Sequence, residues 1–461
     1  MKKFELQALG CPKSCLDLGM EYVGKAAKGG LLKNRKPKEV LNEILSNPQE
    51  YVDDTLATRF AKALIEDARI VNRGMVPYKV WGESEIELGA IDQLRNACNL
   101  PVAVKGALMP DAHVGYGLPI GGVLATSGTV IPYAVGVDIA CRMKLTVTDL
   151  PVSNLETDYD NLRKALEEET AFGLGCTFEK KRQHSVMDMD WKVSHVTRSM
   201  KDTAWTQLGT SGGGNHFVEY GILTSQTNRD GMQIGKKYLA ILSHSGSRGT
   251  GGRVCKYYSD LAMRQLPKAY ASMKYLAWLD LNKQEGQEYW NAMNLMGHYA
   301  SANHDCIHRH LINRLGATAL WQVENHHNFA WKEVHDGVEM IVHRKGATPA
   351  GKGVLGVIPG SMADPAYVVE GLGNEDSLLS ASHGAGRKMS RTIAKNTFNW
   401  PMWRKELENR GVKLLSAGID EVPGVYKNID TVMSYQTDLV NPIARFDPKI
   451  VKMADGGAGE D

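Results

Sequence analysis

Residues 135–145, VGVDIACRMKL, hold the contradiction on which the reading of the fold turns. The valines, isoleucine, methionine and leucine read as a strand buried in a sheet-based core. Asp138 and Cys141 sit inside that run, three residues apart. A carboxylate in apolar surroundings is costly unless something pairs with it. Residues three apart on a regular strand point to opposite faces, so both serve one site only where the chain turns at a strand end. Such turns are where rigid sheets carry ligand chemistry. A metal centre answers the contradiction, because a cation offsets the desolvation of Asp138 and deprotonates Cys141.

On either side of this stretch, from about 100 to 390, short β-rich runs are broken by glycine: PIGGVLATSG, HFVEYGIL, KYLAILSHSGSRG, ALWQVENHH, VEMIVHRKG and GVLGVIPGS. Helical spacing intervenes at about 157–172, 253–266 and 287–315. No fixed-period repeat and no strict strand–helix alternation occurs, which argues against a solenoid and a doubly wound sheet. Residues 1–95 read as a mostly helical region, with KEVLNEILSN and LATRFAKALIEDARIV at helical spacing. Residues 96–453 read as one large sheet-based domain and 454–461 as a disordered tail. The fold class expected is α+β, a β-sheet core surrounded by helices with a helical N-terminal extension.

Histidines in the sheet region follow one pattern, appearing where an apolar run ends. GGGNHFVE gives Asn215, His216 and Glu219; LSHSGSRGTGGR gives His244, Arg248 and Arg253; VENHHNFA gives His326, His327 and Asn328; ASHGAGRKMSR gives His383, Arg387 and Arg391. A lone histidine of this kind is ordinarily structural, but four such sites beside Asp138 and Cys141 form a ligand set. Thiolate and imidazole suit zinc on softness. Five candidate ligands exceed a closed zinc site and point to two ions sharing a ligand, as in phosphoryl chemistry. Glycine-rich SGGGN and SHGAG let backbone amides approach phosphate, and the neighbouring arginines add forked donors.

Composition sets the bounds. The 461 residues are 43% hydrophobic and 23% charged with a net charge of +2, so any nucleic-acid contact is a local patch. No apolar run is long enough for a membrane helix, and the start, MKKFELQALG, makes a poor signal peptide. Seven scattered cysteines fit reduced thiols in a cytoplasm. Cys11 and Cys15 have the spacing of half a metal site, but no second pair follows.

Seven motifs, PDAHVGYGLPIGGVLA, VGVDIACRM, GGGNHFVE, HSGSRGTG, HRKGAT, IPGSM and SHGAGR, occur in the order found in the RtcB family of RNA-splicing ligases. The chain resembles that family over about residues 100–391, with a fainter echo in EVPGVYKNIDTVM and KIVKMA. The resemblance implies a GTP-dependent ligase that joins RNA 3′-phosphate or 2′,3′-cyclic phosphate ends to 5′-hydroxyls in tRNA splicing or RNA repair, using two manganese ions. It implies Asp138, Cys141 and His216 as ligands of one ion, with Cys141 bridging to a second held by His244 and His327. His383 corresponds to the nucleophile that becomes linked to GMP. Asn215, Glu219, Asn328, Ser361, Arg387, Tyr426 and Lys452 match nucleotide-contacting positions, Glu219 and Lys452 at guanine, and Arg248 matches one that holds RNA phosphate. The family also leaves room for an activating protein partner.

The chain departs from the family where glycines usually flank the bridging cysteine; here they are Ala140 and Arg142. Arg142 is expected either to hold a phosphate or to crowd the second ion. SMADPAY places Ala366 where a serine near guanine is expected, which predicts weakened selectivity for GTP. GHYASANHDCIHRHL is richer in histidine than the family pattern. Two other activities fit fewer of the residues: a two-metal RNA phosphohydrolase or cyclic phosphodiesterase, and a non-catalytic RNA-end-binding protein.

Overall fold

The structure, a computed structural model, describes residues 2–12, 15–29, 35–72 and 74–456. The tail expected to be disordered lies, from residue 457, outside the described residues. The chain divides into two units, Met1–Met75 with Leu266–Lys274, and Val76–Gln265 with Tyr275–Asp461.

The first unit is helical: Lys3–Ala8, Leu16–Lys28, Pro37–Ser46 and Thr58–Asn72. Pro37 opens its helix at the position where a missing N–H costs nothing. Val40, Leu41 and Ile44 then recur at helical spacing and pack with Leu6, Tyr22 and Phe60 in one core. Cys11 and Cys15 lie in that same core, and burial pushes the Cys11 thiol up to about 12. Both pack in that core, and among the described residues they join no group of donors that could hold a metal ion.

The second unit begins earlier than the composition shift near residue 95. Strand Tyr78–Val80 pairs in parallel with Ala103–His113. They belong to a five-stranded sheet that continues through Ile120–Thr126, Val338–Lys345 and Asn328–His335. Its larger partner runs Leu355–Ile358, Ala366–Gly371, Val440–Met453, Phe217–Ser225, Lys237–Ser245, Arg142–Thr148, Ala319–His326, with Lys413–Ser416 beside Val440–Met453. The two end strands of this sheet come together through a side chain. Asn325 accepts from the Val357 N–H at 2.9 Å and donates to its carbonyl at 3.5 Å. An amide side chain thus stands in for a backbone rung and nearly closes the sheet into a barrel.

Alternation along the strands builds the two faces. Met143, Leu145, Val147, Tyr238, Ala240 and Leu242 fill the barrel core with Val368 and Phe446. On the outer face Val218, Tyr220, Leu239 and Ile241 pack against Leu162, Leu166, Ile307 and Leu311 of flanking helices. Those helices are Tyr159–Glu169 and the 32-residue Gln284–Leu315; Arg248–Gln265 is a third. All three fall where helical spacing places them. No described helix is long and apolar enough to cross a membrane.

Candidate active site

His244 continues the inward series of Tyr238, Ala240 and Leu242, so the strand's period of two carries its imidazole to one mouth of the barrel. Its backbone partner is Phe217, directly after His216. His327 occupies the single position between Ala319–His326 in the large sheet and Asn328–His335 in the five-stranded one. Its N–H donates to the Cys141 carbonyl at 3.0 Å. The strand carrying Cys141 does not begin until Arg142, and Asp138–Cys141 form a turn in which Ala140 adopts φ 59°. Asn328 clips that turn, accepting from the Ala140 N–H at 2.7 Å and donating from Nδ2 to the Asp138 carbonyl at 3.3 Å. Gly246 packs on the Asp138 carboxylate, where a Cβ would lie 2.1 Å from Oδ1, so a side chain there would push the carboxylate from its place.

The turn and the two histidine strands bring five donors together. Cys141 Sγ lies 3.3 Å from His216 Nε2 and 3.1 Å from His244 Nε2. His216 Nε2 is 3.1 Å from Asp138 Oδ2, and His244 Nε2 is 3.3 Å from His327 Nε2. Two nitrogens bound to one tetrahedral ion at ~2.1 Å stand ~3.4 Å apart, so this spacing fits donors converging on a cation. His244 Nδ1–H donates to the Asn215 carbonyl at 3.1 Å, which leaves the Nε2 lone pair facing the cluster. Burial pushes His244 down to about 3 and holds His327 well below the ordinary histidine range. Burial opposes ionisation of Asp138, but the His216 hydrogen bond and charge, with Cys141 and Arg248, hold its carboxyl low. The neutral rings of His244 and His327 and the ionised carboxylate of Asp138 are the forms a metal requires.

His383 adjoins this cluster, its ring centroid 5.0 Å from that of His327. The short pairing of Ala347–Pro349 with Ser380–Ser382 delivers it there. Asp111, fully buried, accepts from His383 Nδ1–H at 2.7 Å and from the N–H groups of His383 at 3.0 Å and Gly384 at 3.2 Å, all at Oδ2. This fixes the tautomer that presents the Nε2 lone pair. Burial opposes the Asp111 charge, but His383 and Lys427 hold the carboxyl below its ordinary value. Asp111 carries the same sequence signal as Asp138, a carboxylate inside an apolar run (ALMPDAHV), yet the sequence reading did not single it out.

Beside these groups opens a cavity of about 630 Å³, also lined by Asn215, Glu219, Ser361, Ala366, Arg387 and Tyr426. Glu219 points into it, and burial pushes its carboxyl well up. Ser361 donates to Asp364 at 2.5 Å. Arg387 reaches Glu421 at 3.3 Å and the Asp420 carbonyl at 3.0 Å, and lies over the Tyr426 ring. Asn328 reaches the cavity wall, but its amide is already engaged, accepting from the Gly346 N–H at 2.8 Å as well as holding the turn.

Three of the residues singled out in the sequence do not line the cavity. Lys452 sits outside the cavity: Val451 and Met453 line it, and the alternation turns Lys452 to the outer face. There its ammonium donates to the carbonyls of Leu166 and Thr170, both at 3.1 Å, at the end of a helix. Arg248 is also away from the cavity wall, 2% exposed, with its guanidinium on Thr210 Oγ1 at 3.0 Å and the Gly173 carbonyl at 2.8 Å. Arg142 turns with Lys144 to the face away from the cluster, and both pair with Glu324.

The histidine-rich helix supports the site from behind. His304 Nε2–H donates to the Ser245 carbonyl at 3.1 Å, so its Nδ1 accepts from the Ser243 hydroxyl at 2.6 Å. Ser243 then accepts from His308 Nε2–H at 2.7 Å, and His308 Nδ1 accepts from Thr146 at 2.7 Å. Every donor direction is fixed with both rings neutral, and burial holds both well below the ordinary histidine range. The residues flanking His244 are thereby locked in place.

The sequence profile of the family described as tRNA-splicing ligase RtcB matches residues 93–193 and 183–453. The chain is 34% identical over 397 residues to the RNA-splicing ligase RtcB of Escherichia coli strain K12, covering 80% of this chain and 95% of that protein. It is 29% identical over 477 residues to the tRNA-splicing ligase RtcB of Thermococcus kodakarensis, covering 85% and 97%. With the tRNA-splicing ligase RtcB of Nanoarchaeum equitans it shares 30% over 458 residues, covering 82% and 95%.

Proposed function

The chain belongs to the RtcB family, and from that premise we propose that it is an RNA ligase joining 3′-phosphate or 2′,3′-cyclic phosphate ends to 5′-hydroxyls, with GTP and two manganese ions. The observation that carries this reading is the convergence of the Cys141, His216, His244 and His327 donor atoms beside His383, whose free nitrogen is set by a buried aspartate. Asp138, Cys141 and His216 would hold one ion, and Cys141, His244 and His327 the other. Bound there, the ions would supply charge neutralisation for phosphate oxygens.

The chain's own residues do the rest. His383 Nε2 attacks the α-phosphorus of GTP; an N–P bond forms as the bond to pyrophosphate breaks. Asp111 stabilises the positive charge that develops on the imidazole. Glu219 faces the purine, and the cavity walls fix the nucleotide for in-line displacement. A cyclic end is first opened by water. The RNA 3′-phosphate then displaces His383 from GMP, and the 5′-hydroxyl of the second strand displaces GMP to seal the join. Ligation of a 3′-phosphate RNA to a 5′-hydroxyl RNA that requires GTP, and is lost in His383→Ala, tests the proposal. Processing of the phosphate end without GTP, and no joined product, would make the protein a phosphohydrolase instead.

A further inference from the structure

At the rim of the cavity Tyr116 is 60% exposed, although the loop that carries it is tied down from several sides. The Val114 N–H donates to Glu87 at 2.8 Å, and the Gln93 side-chain amide takes both backbone groups of Gly115, accepting from its N–H at 3.0 Å. The Tyr116 carbonyl accepts from Lys345 Nζ at 2.6 Å. Gly117, at φ 72°, lies so close to the next element that a Cβ would stand 2.4 Å from the Tyr275 carbonyl oxygen. The Tyr116 ring leans on Tyr275 with centroids 5.5 Å apart, and Tyr275 meets Tyr133 edge-on at 5.2 Å. An aromatic ring on a tied-down loop is therefore backed by two others, with much of its surface open at the cavity that His383 also lines. Such a platform matches the exposed π-face of an unstacked base at a single-stranded RNA end.

We propose that Tyr116 is a stacking platform for the nucleobase adjoining the RNA end that enters the cavity. The inference rests on the ligase reading and names how that reading's substrate is gripped. Stacking is sequence-tolerant, so the platform holds an end without selecting its base.

The full chain carrying Tyr116→Ala, Tyr116→Phe or Tyr116→Trp tests this with a short single-stranded 3′-phosphate RNA. The alanine variant is expected to raise KM for the RNA about 10-fold, with phenylalanine restoring it, while His383 takes up GMP at the wild-type rate. Emission of the tryptophan variant is expected to be quenched as the RNA is added without GTP. An unchanged KM in the alanine variant, an equal loss in the phenylalanine variant, or slowed GMP uptake would overturn the platform. If the wild-type protein neither takes up GMP nor ligates, the ligase reading falls, and the tryptophan titration alone decides the platform: quenching supports it and silence overturns it.

Discussion

Ala140 adopts φ 59° in the turn that joins Asp138 to Cys141, a conformation in which its Cβ crowds the backbone. Ala140→Gly is expected to stabilise the protein by about 1 kcal/mol, read as a raised urea midpoint, because the strain removed exceeds the entropy glycine adds to the unfolded chain. A lowered midpoint would mean that the methyl group packs more than it strains. Asp111 is a different kind of residue, since it acts through His383. Asp111→Asn keeps the shape but removes the charge facing the imidazole, and is expected to slow GMP uptake on the order of 100-fold. Manganese binding, followed by calorimetry, should stay at the wild-type level; joint loss of both would mark Asp111 as a fold residue.

Strand alternation separates residues that adjacent sequence made look equivalent. Glu219 and Val451 are register partners facing the cavity, whereas Lys452 pairs with Val218 on the helix-covered face. Glu219→Ala is expected to nearly erase preference for GTP over ATP in covalent nucleotide transfer, and Lys452→Ala to leave it intact while lowering thermal stability. Equal loss of preference in both would contradict the register. The helical elements and the strands that end at or beside His216, His244 and His327 were legible because an apolar run flanked by a polar ligand survives in sequence. The outward turn of Arg142 and Lys452, and the burial of Arg248, were not, because a family match assigns positions without saying which face a strand presents. Asp111 escaped for a related reason, as its partner lies 272 residues away. Buried neutral histidines add a pH dependence at this scale. His304 and His308 are held well below the ordinary value, and His343 is pushed down to about 4 by burial. Unfolded, each titrates near 6.5, so below that pH the unfolded chain binds more protons and stability falls until the folded values are reached. Each contributes up to about 1.4 kcal/mol per pH unit in that window. The urea midpoint should therefore drop steeply from pH 7 to pH 5; a flat profile would mean that these rings are solvated.

Across the whole molecule, two sheets meet at His327, a turn supplies Asp138 and Cys141, and a buried helix locks the strand of His244. Donors from such distant stretches are assembled only by the folded chain, so metal binding is linked to folding. Manganese at 100 times its Kd is expected to stabilise the protein by about 2.7 kcal/mol for each ion bound, and Cys141→Ser to remove most of the associated rise in Tm. An equal rise in the variant would place the ions elsewhere. The central claim is that His383 is the nucleophile of a nucleotide-transfer reaction carried out in this cavity. Intact-protein mass spectrometry after incubation with GTP and manganese measures it directly. The account predicts a wild-type mass increased by one GMP, with the adduct on the peptide containing His383 and absent from His383→Ala; an unmodified wild-type protein, or an undiminished adduct in the variant, would contradict it.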